Sequence, residues 1–216
     1  MDNQRKLLML PRHQYRGVNE DDPIRYYFWP VFGRMYRKRV ETALAECTGG
    51  QRVLEVGFGT GLAFINLARI YKEIHGVDLT ANIQEVKSVF DNLNIPTHLK
   101  LGDILSLPYE DGYFETVLLI SILEHLKPET LEAAFLELRR VLKPGGQVVY
   151  GTPVERPLMV FLFKLLGHDI RKEHFSTEKQ IESVARSIFL NGLVKEMKSI
   201  PPLFWAVYHV GLFINS

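Results

Sequence analysis

The 216-residue chain is predicted to form a single α/β domain built around a layered, mostly parallel sheet. Three observations predict it. Short apolar runs alternate with segments of helical period from Val53 to Pro153, the pattern of parallel crossover units. The run in "FETVLLIS" is apolar without alternation, as a strand covered on both faces should be. The composition, 46% hydrophobic and 24% charged, is that of an ordinary globular protein, on a chain able to bury roughly 70% of its unfolded surface.

Residues 1–46 supply an N-terminal arm and a helix. Through about Asp22 the chain is polar, with scattered arginine and no sustained period, and it reads as a mobile arm or lid. "IRYYFWP" (Ile24 to Pro30) has two equal readings, a lid over a ligand or core beneath an N-terminal cover. Apolar residues at Phe32, Met35, Tyr36, Val40, Ala43 and Leu44 keep a helical spacing until Gly49 and Gly50 stop it. Within that helix, Arg37-Lys38-Arg39 reads as a solvated face rather than a nucleic-acid contact.

"RVLEVG" follows as a strand, "LAFINLARIY" as a helix and "IHGVDL" as a strand. "NIQEVKSVFDNLN" is helical, with apolar residues at Ile83, Val86, Val89, Phe90 and Leu93. "THLKLGD" and "FETVLLIS" are the third and fourth strands, "PETLEAAFLELRRVLKPGG" is an amphipathic helix stopped by Pro144, Gly145 and Gly146, and "QVVYGTP" is the fifth strand. The rhythm then breaks. Residues 153–176 read as an insertion, in which "PLMVFLFKLLG" (Pro157 to Gly167) packs on the domain and partly lines a pocket; peripheral contact with a membrane is the competing reading. A capping signal at Ser176 and Glu178 to Lys179 opens a helix expected from about Thr177 to Leu190. "LVKEMKSI" and "LFWAVYHVGLFI", separated by two prolines, read as a terminal antiparallel pair.

Twenty-six basic residues nearly balance twenty-five acidic ones, so charge favours a small-molecule partner and no nucleic acid is expected. A single cysteine, Cys47, excludes an intramolecular disulfide and a thiolate metal cage, and no metal site is read. The opening residues lack the apolar core of a secretion signal, and the uncharged run from Pro201 to Ser216 falls short of the roughly twenty apolar residues of a spanning helix. A cytoplasmic protein without a transmembrane segment is expected.

The chemistry gathers at "VLEVGFGTG". Gly57, Gly59 and Gly61 end a strand and precede a helical pattern, so bare backbone can approach a ligand closely. A dinucleotide fingerprint wants G-x-G-x-x-G, but this loop is G-x-G-x-G with Leu62 next. Glu55, two residues before the first glycine, would repel a diphosphate and favour a cation. Asp78 ends the second strand, where a carboxylate accepts both hydroxyls of a ribose, and Asp103 ends the third, placed to accept from the exocyclic amine of a base. A lone aspartate at a strand end is more often a turn-former. Three acids at the ends of three successive strands are harder to assign that way.

These segments, with "LGDILSLPYEDGYFETVLLISILEHL" and "LRRVLKPGGQVVYGTP", run in the order and spacing of a known family between about Val53 and Thr152. The chain resembles a class I S-adenosylmethionine-dependent methyltransferase with a type 11 or type 25-like domain. The resemblance implies a Rossmann-like three-layer sandwich, with a seven-stranded, mostly parallel sheet whose last strand is antiparallel. It implies S-adenosyl-L-methionine as cofactor, with S-adenosyl-L-homocysteine as product. It places Glu55, Gly57, Gly59 and Gly61 along the methionine half, Asp78 on the ribose, Leu79 against adenine, Asp103 and the Ile104 backbone at the amine edge, and Ile120 and Ser121 beside the transferring methyl. Phe58 departs from the small residue or cysteine often found there, and is expected to narrow the loop.

A sulfonium methyl is already electrophilic, so in-line placement carries much of the reaction and a positioned base adds about 10²- to 10⁴-fold. His174, after the insertion, and His125, in "LEHL", are the candidate bases; helix capping and structural packing are their respective bland readings. The expected function is methyl transfer to a small-molecule acceptor, with an apolar lipid or quinone precursor among the candidates. Two other readings compete: a non-catalytic cofactor-binding regulator, and an NAD-dependent oxidoreductase disfavoured by the glycine spacing and Glu55.

Overall fold

The computed structural model describes residues 6–15, 24–30, 32–154, 174–198 and 206–216. Their elements, in chain order, are α1 (Ile24–Tyr27), α2 (Phe32–Leu44), β1 (Gly50–Val56), α3 (Phe64–Leu67), β2 (Tyr71–Asp78), α4 (Ile83–Asp91), β3 (Thr97–Leu101), β4 (Phe114–Ile120), α5 (Pro128–Val141), β5 (Leu142–Pro153), α6 (Glu178–Ile188), β6 (Asn191–Lys198) and β7 (Ala206–Ile214). The seven strands form one sheet of order β3-β2-β1-β4-β5-β7-β6. β1 lies parallel to β2 and β4, β2 to β3, and β4 to β5, while β7 runs antiparallel to both β5 and β6.

The sheet is covered on both faces, which explains its apolar strands. On one side, Val53, Ile74, Leu118 and Val149 pack with residues of α2, α3 and α4, among them Val40, Phe64 and Phe90. On the other, Leu54, Val117, Leu119 and Val148 pack against Leu131, Phe135 and Leu138 of α5 and Ile181 and Ala185 of α6. The expected three-layer sandwich is therefore present. Because the order turns outward in both directions from β1 and β4, their C-terminal ends form the crevice where such sheets bind ligands.

Several local readings need correction. The helix expected over "LAFINLARIY" shrinks to the four residues of α3. Arg69 N donates to Asn66 O and Ile70 N to Leu67 O, which tightens the end, and Gly50 N donates to Ile70 O, which draws the chain into β2. Nor is the arm free where it is described. Leu7 N donates to Glu41 Oε1 at 3.1 Å, Leu8 N to Asn66 Oδ1 at 2.9 Å, and Asn66 Nδ2 to Lys6 O at 2.9 Å, so residues 6–15 strap α2 to α3. Asn66 satisfies two strap groups from a buried position, an interaction that a helical pattern does not announce.

The basic run is not a solvated face throughout. Lys38 is exposed, but Arg37 Nη1 donates to Tyr27 O, and the Arg39 guanidinium carbon lies 4.1 Å from the Tyr36 ring centroid and 5.2 Å from that of Tyr208. Arginine can be covered in this way because aromatic faces accept its planar charge. Tyr27 of "IRYYFWP" is core and Trp29 is exposed. The α6 cap is Thr177, not Ser176: the Thr177 side chain accepts from Gln180 N while Gln180 Oε1 accepts from Thr177 N. Ser176 is buried and donates to Leu126 O at 2.6 Å. In the fifth strand, β5 starts at Leu142 directly after α5, five residues before the expected "QVVYGTP". Most of the 153–176 insertion, with Pro157 to Gly167, lies outside the described residues.

Candidate active site

The crevice is built from the ends of β1, β2, β3 and β4. Gly57, Gly59 and Gly61 have φ of 72°, 51° and 69°, the left-handed region that glycine enters without a Cβ penalty. A Cβ on Gly57 would stand 2.0 Å from Ile122 Cδ1, so this glycine also lets the segment after β4 close over the loop. Gly57 N donates to Val77 O, Gly61 N to Phe58 O, and Gly59 N to Asp78 Oδ2 at 2.9 Å. The loop's shape is thus held by β2 and by Asp78. Since turns and only a four-residue helix follow it, a ligand here meets backbone and side chains rather than a strong helix dipole.

Phe58 does not narrow the loop. Its ring turns down onto Gly76, where a Cβ would sit 2.7 Å from Phe58 Cδ1, and packs 5.7 Å from Phe64. The absent side chain at Gly76 makes this room.

Glu55 is only 4% exposed, and its Oε2 has no hydrogen-bond partner among the described residues. Burial, with the neighbouring Asp78 carboxylate second, raises its carboxyl to about 8. The buried carboxyl therefore holds its proton at neutral pH, and a sulfonium or ammonium beside it would favour the ionised form. Asp78 Oδ1 also accepts from Thr80 N at 2.8 Å and Ala81 N at 2.9 Å. Both its turn-forming and ligand-facing readings are compatible, because a carboxylate has about four acceptor sites. Leu79 beside it is 68% exposed, an apolar side chain presented to solvent at the crevice rim.

Gly102 N donates to Asp78 O at 3.0 Å, which sets the β3 end beside the β2 end. Asp103 is exposed and accepts from Leu105 N at 3.0 Å, whereas the Ile104 side chain is buried in the core, leaving only its backbone to meet a ligand. Ile120 is half-buried. Ser121 takes φ 57°, unusual for a residue with a side chain; its N donates to Gly151 O and its Oγ lies 3.0 Å from Tyr208 Oη. Glu55, the glycines, Asp78, Leu79 and Asp103 thus gather at the adjoining ends of β1, β2 and β3. The residues at the β4 end continue that row.

His125 and His174 come together, their ring centroids 5.1 Å apart at 78°. His125 closes a 3-10 turn, Leu123–His125, just beyond β4. What sequence reasoning missed is the polar group beside them. Glu124 is 2% exposed and raised to about 8 by burial, and Tyr208, from β7, is wholly buried. The signal for Tyr208 was Gly151: a Cβ there would stand 2.5 Å from Tyr208 Oη, and glycine within a strand marks such an approach. Burial first, then the neighbouring Glu55 and Glu46 carboxylates, push the Cys47 thiol up to about 12, which disfavours the thiolate.

A family profile described as a methyltransferase domain matches residues 53–146. The chain is 29% identical over 183 residues to the ubiquinone/menaquinone biosynthesis C-methyltransferase of Cupriavidus metallidurans, covering 78% of this chain and 74% of the relative. It is 32% identical over 167 residues to the demethylmenaquinone methyltransferase of Staphylococcus saprophyticus, covering 72% and 70%. In fold it is similar to the PH0226 protein of Pyrococcus horikoshii, with TM-score 0.67 and 19% identity over 94% of this chain and 95% of that one. No helix of the described residues is long and apolar enough to cross a membrane.

Proposed function

The chain belongs to the class I S-adenosylmethionine-dependent methyltransferases, and we propose that it transfers the methyl group to a small apolar acceptor of quinone or lipid type in the cytoplasm. Its cofactor is S-adenosylmethionine, and neither the NAD-dependent nor the non-catalytic reading is favoured. The observation that carries the proposal is the buried, unpartnered Glu55 carboxylate beside three left-handed glycines, a cradle for a cation without phosphates. Support for the acceptor class comes from the relatives named for ubiquinone, menaquinone and demethylmenaquinone chemistry.

The bound cofactor supplies an electrophilic sulfonium methyl. Glu55 would offset its positive charge, and Gly57, Gly59 and Gly61 would admit its methionine half. Asp78 would accept from the ribose, and Leu79, Asp103 and the Ile104 backbone would hold the adenine. Ile120 and Ser121 would border the methyl, in a crevice that Ile122 closes on one side. His174, with His125 against it, accepts the acceptor's proton where the reaction releases one.

S-adenosylhomocysteine release across a panel of demethylated quinols, acyl thioesters and polar amines tests the acceptor class. Stimulation by the apolar members is expected. Stimulation by polar amines alone would refute it.

A further inference from the structure

We propose that Glu124, His125 and His174 form a binding site for one divalent cation of the zinc class. One donor atom from each lies within 4.8 Å of the other two. Donors around a tetrahedral zinc stand roughly 3.3–3.6 Å apart, given bonds of about 2.0–2.2 Å. Side-chain rotations of about an ångström close that difference, and the exposed His125 and half-buried His174 have room to make them.

The backbone assembles the three. The Leu123–His125 turn sets Glu124 beside His125. Phe175 N and Ser176 N both donate to Glu124 O, at 2.8 and 3.2 Å, and Ser176 Oγ donates to Leu126 O. These bonds pin the chain immediately after His174 onto the turn, which carries its imidazole to the cluster.

A second observation points independently to a bound cation. Glu124 is 2% exposed; Ser121, Thr152 and its own backbone lie close enough to steady the carboxylate, yet its Oε2 is buried and makes no well-formed hydrogen bond among the described residues. Arg39 places positive charge nearby, but its guanidinium lies against the rings of Tyr36 and Tyr208. Two imidazoles and one carboxylate favour a first-row divalent ion over magnesium or calcium, which prefer oxygen ligands. Three protein ligands leave a fourth position for an oxygen or nitrogen of another molecule. An imidazole nitrogen that holds the ion is closed to protons, so loading also suppresses any turnover that uses His174 as base.

The site stands apart from the choice of acceptor and is tested without turnover. Tag-free full-length protein is titrated with Zn²⁺ by calorimetry and with Co²⁺ by visible absorption, alongside His125→Ala and His174→Ala, with Mg²⁺ as comparison. One Zn²⁺ per chain is expected, weakened at least tenfold by each substitution, with Co²⁺ bands of a nitrogen-ligated four-coordinate ion. S-adenosylhomocysteine affinity checks that each variant is folded, and His→Gln variants replace any alanine variant that is not. No saturable one-to-one binding, undiminished binding in either histidine variant, or tighter binding of Mg²⁺ than of Zn²⁺ overturns the proposal.

Discussion

Replacing Glu55 by glutamine keeps its shape and removes its charge, and the structure sets the size of the effect. The folded carboxyl is raised from 4.5 to about 8 by burial and by Asp78. The fold therefore disfavours the ionised form by about 5 kcal/mol at most, at about 1.4 kcal/mol per pH unit. The sign follows from which state holds the proton. Below pH 4.5 both folded and unfolded chains are protonated and stability is full; between 4.5 and about 8 the unfolded chain ionises first, so stability falls as pH rises; above 8 it is flat. A positively charged cofactor reverses the preference, so binding below pH 8 releases a proton and affinity rises by up to about tenfold per pH unit. Glu55→Gln removes that slope and, at pH 8.5, the charge-assisted contact, worth about 1.5–3 kcal/mol or roughly 10- to 150-fold in affinity. Calorimetric titration of S-adenosylmethionine from pH 6 to 9, in buffers of different ionisation enthalpy, reads both effects. The ligand's own ammonium titrates alike with both proteins and cancels. An equal slope in Glu55→Gln, or no proton release at pH 7, would refute the assignment.

Gly57→Ala forces a side chain into φ 72° and against Ile122, so cofactor affinity falls and the thermal midpoint drops. The backbone strain alone is about 1–2 kcal/mol, and wild-type affinity in a folded variant would contradict the close fit. His174→Ala should lower turnover by about 10²- to 10⁴-fold while S-adenosylhomocysteine affinity stays the same, and unchanged turnover removes His174 as a base. Asn66→Ala releases the strap at Lys6 and Leu8, so differential scanning calorimetry should show a destabilisation of about 1–3 kcal/mol. Limited proteolysis should also cut residues 1–30 faster in that variant, and cofactor should protect them in the wild type if the arm serves as a lid; cutting unchanged by both would count against it.

The sheet was legible because its residues answer to one rule. Val117 to Leu119 and Val148 to Tyr150 are apolar at successive positions, as are Val53 and Leu54 ahead of the one acidic interruption at Glu55, and only a strand buried on both faces asks for that. The crevice was legible because strand ends place Glu55, Asp78 and Asp103 together whatever the loops do. Features that depend on distant partners stayed hidden. Asn66 looks like an ordinary helix residue until the strap reaches it, and Arg39 looks solvated until Tyr208 arrives from β7. Ser176 and Thr177 are both good cap residues in sequence, and only the pairing with Gln180 selects Thr177. Glu124 carries no pattern of its own in the sequence beside His125. His174 is separated from it by α5, β5 and the insertion, so no ligand spacing marks the trio.

The central claim is tested most directly by following the methyl group itself. With S-adenosylmethionine deuterated at the methyl, mass spectrometry of a demethylated quinol acceptor should find the labelled methyl on the acceptor with one S-adenosylhomocysteine released per transfer. Intact cofactor binding with no label leaving the cofactor, for this or any apolar acceptor, would contradict the account.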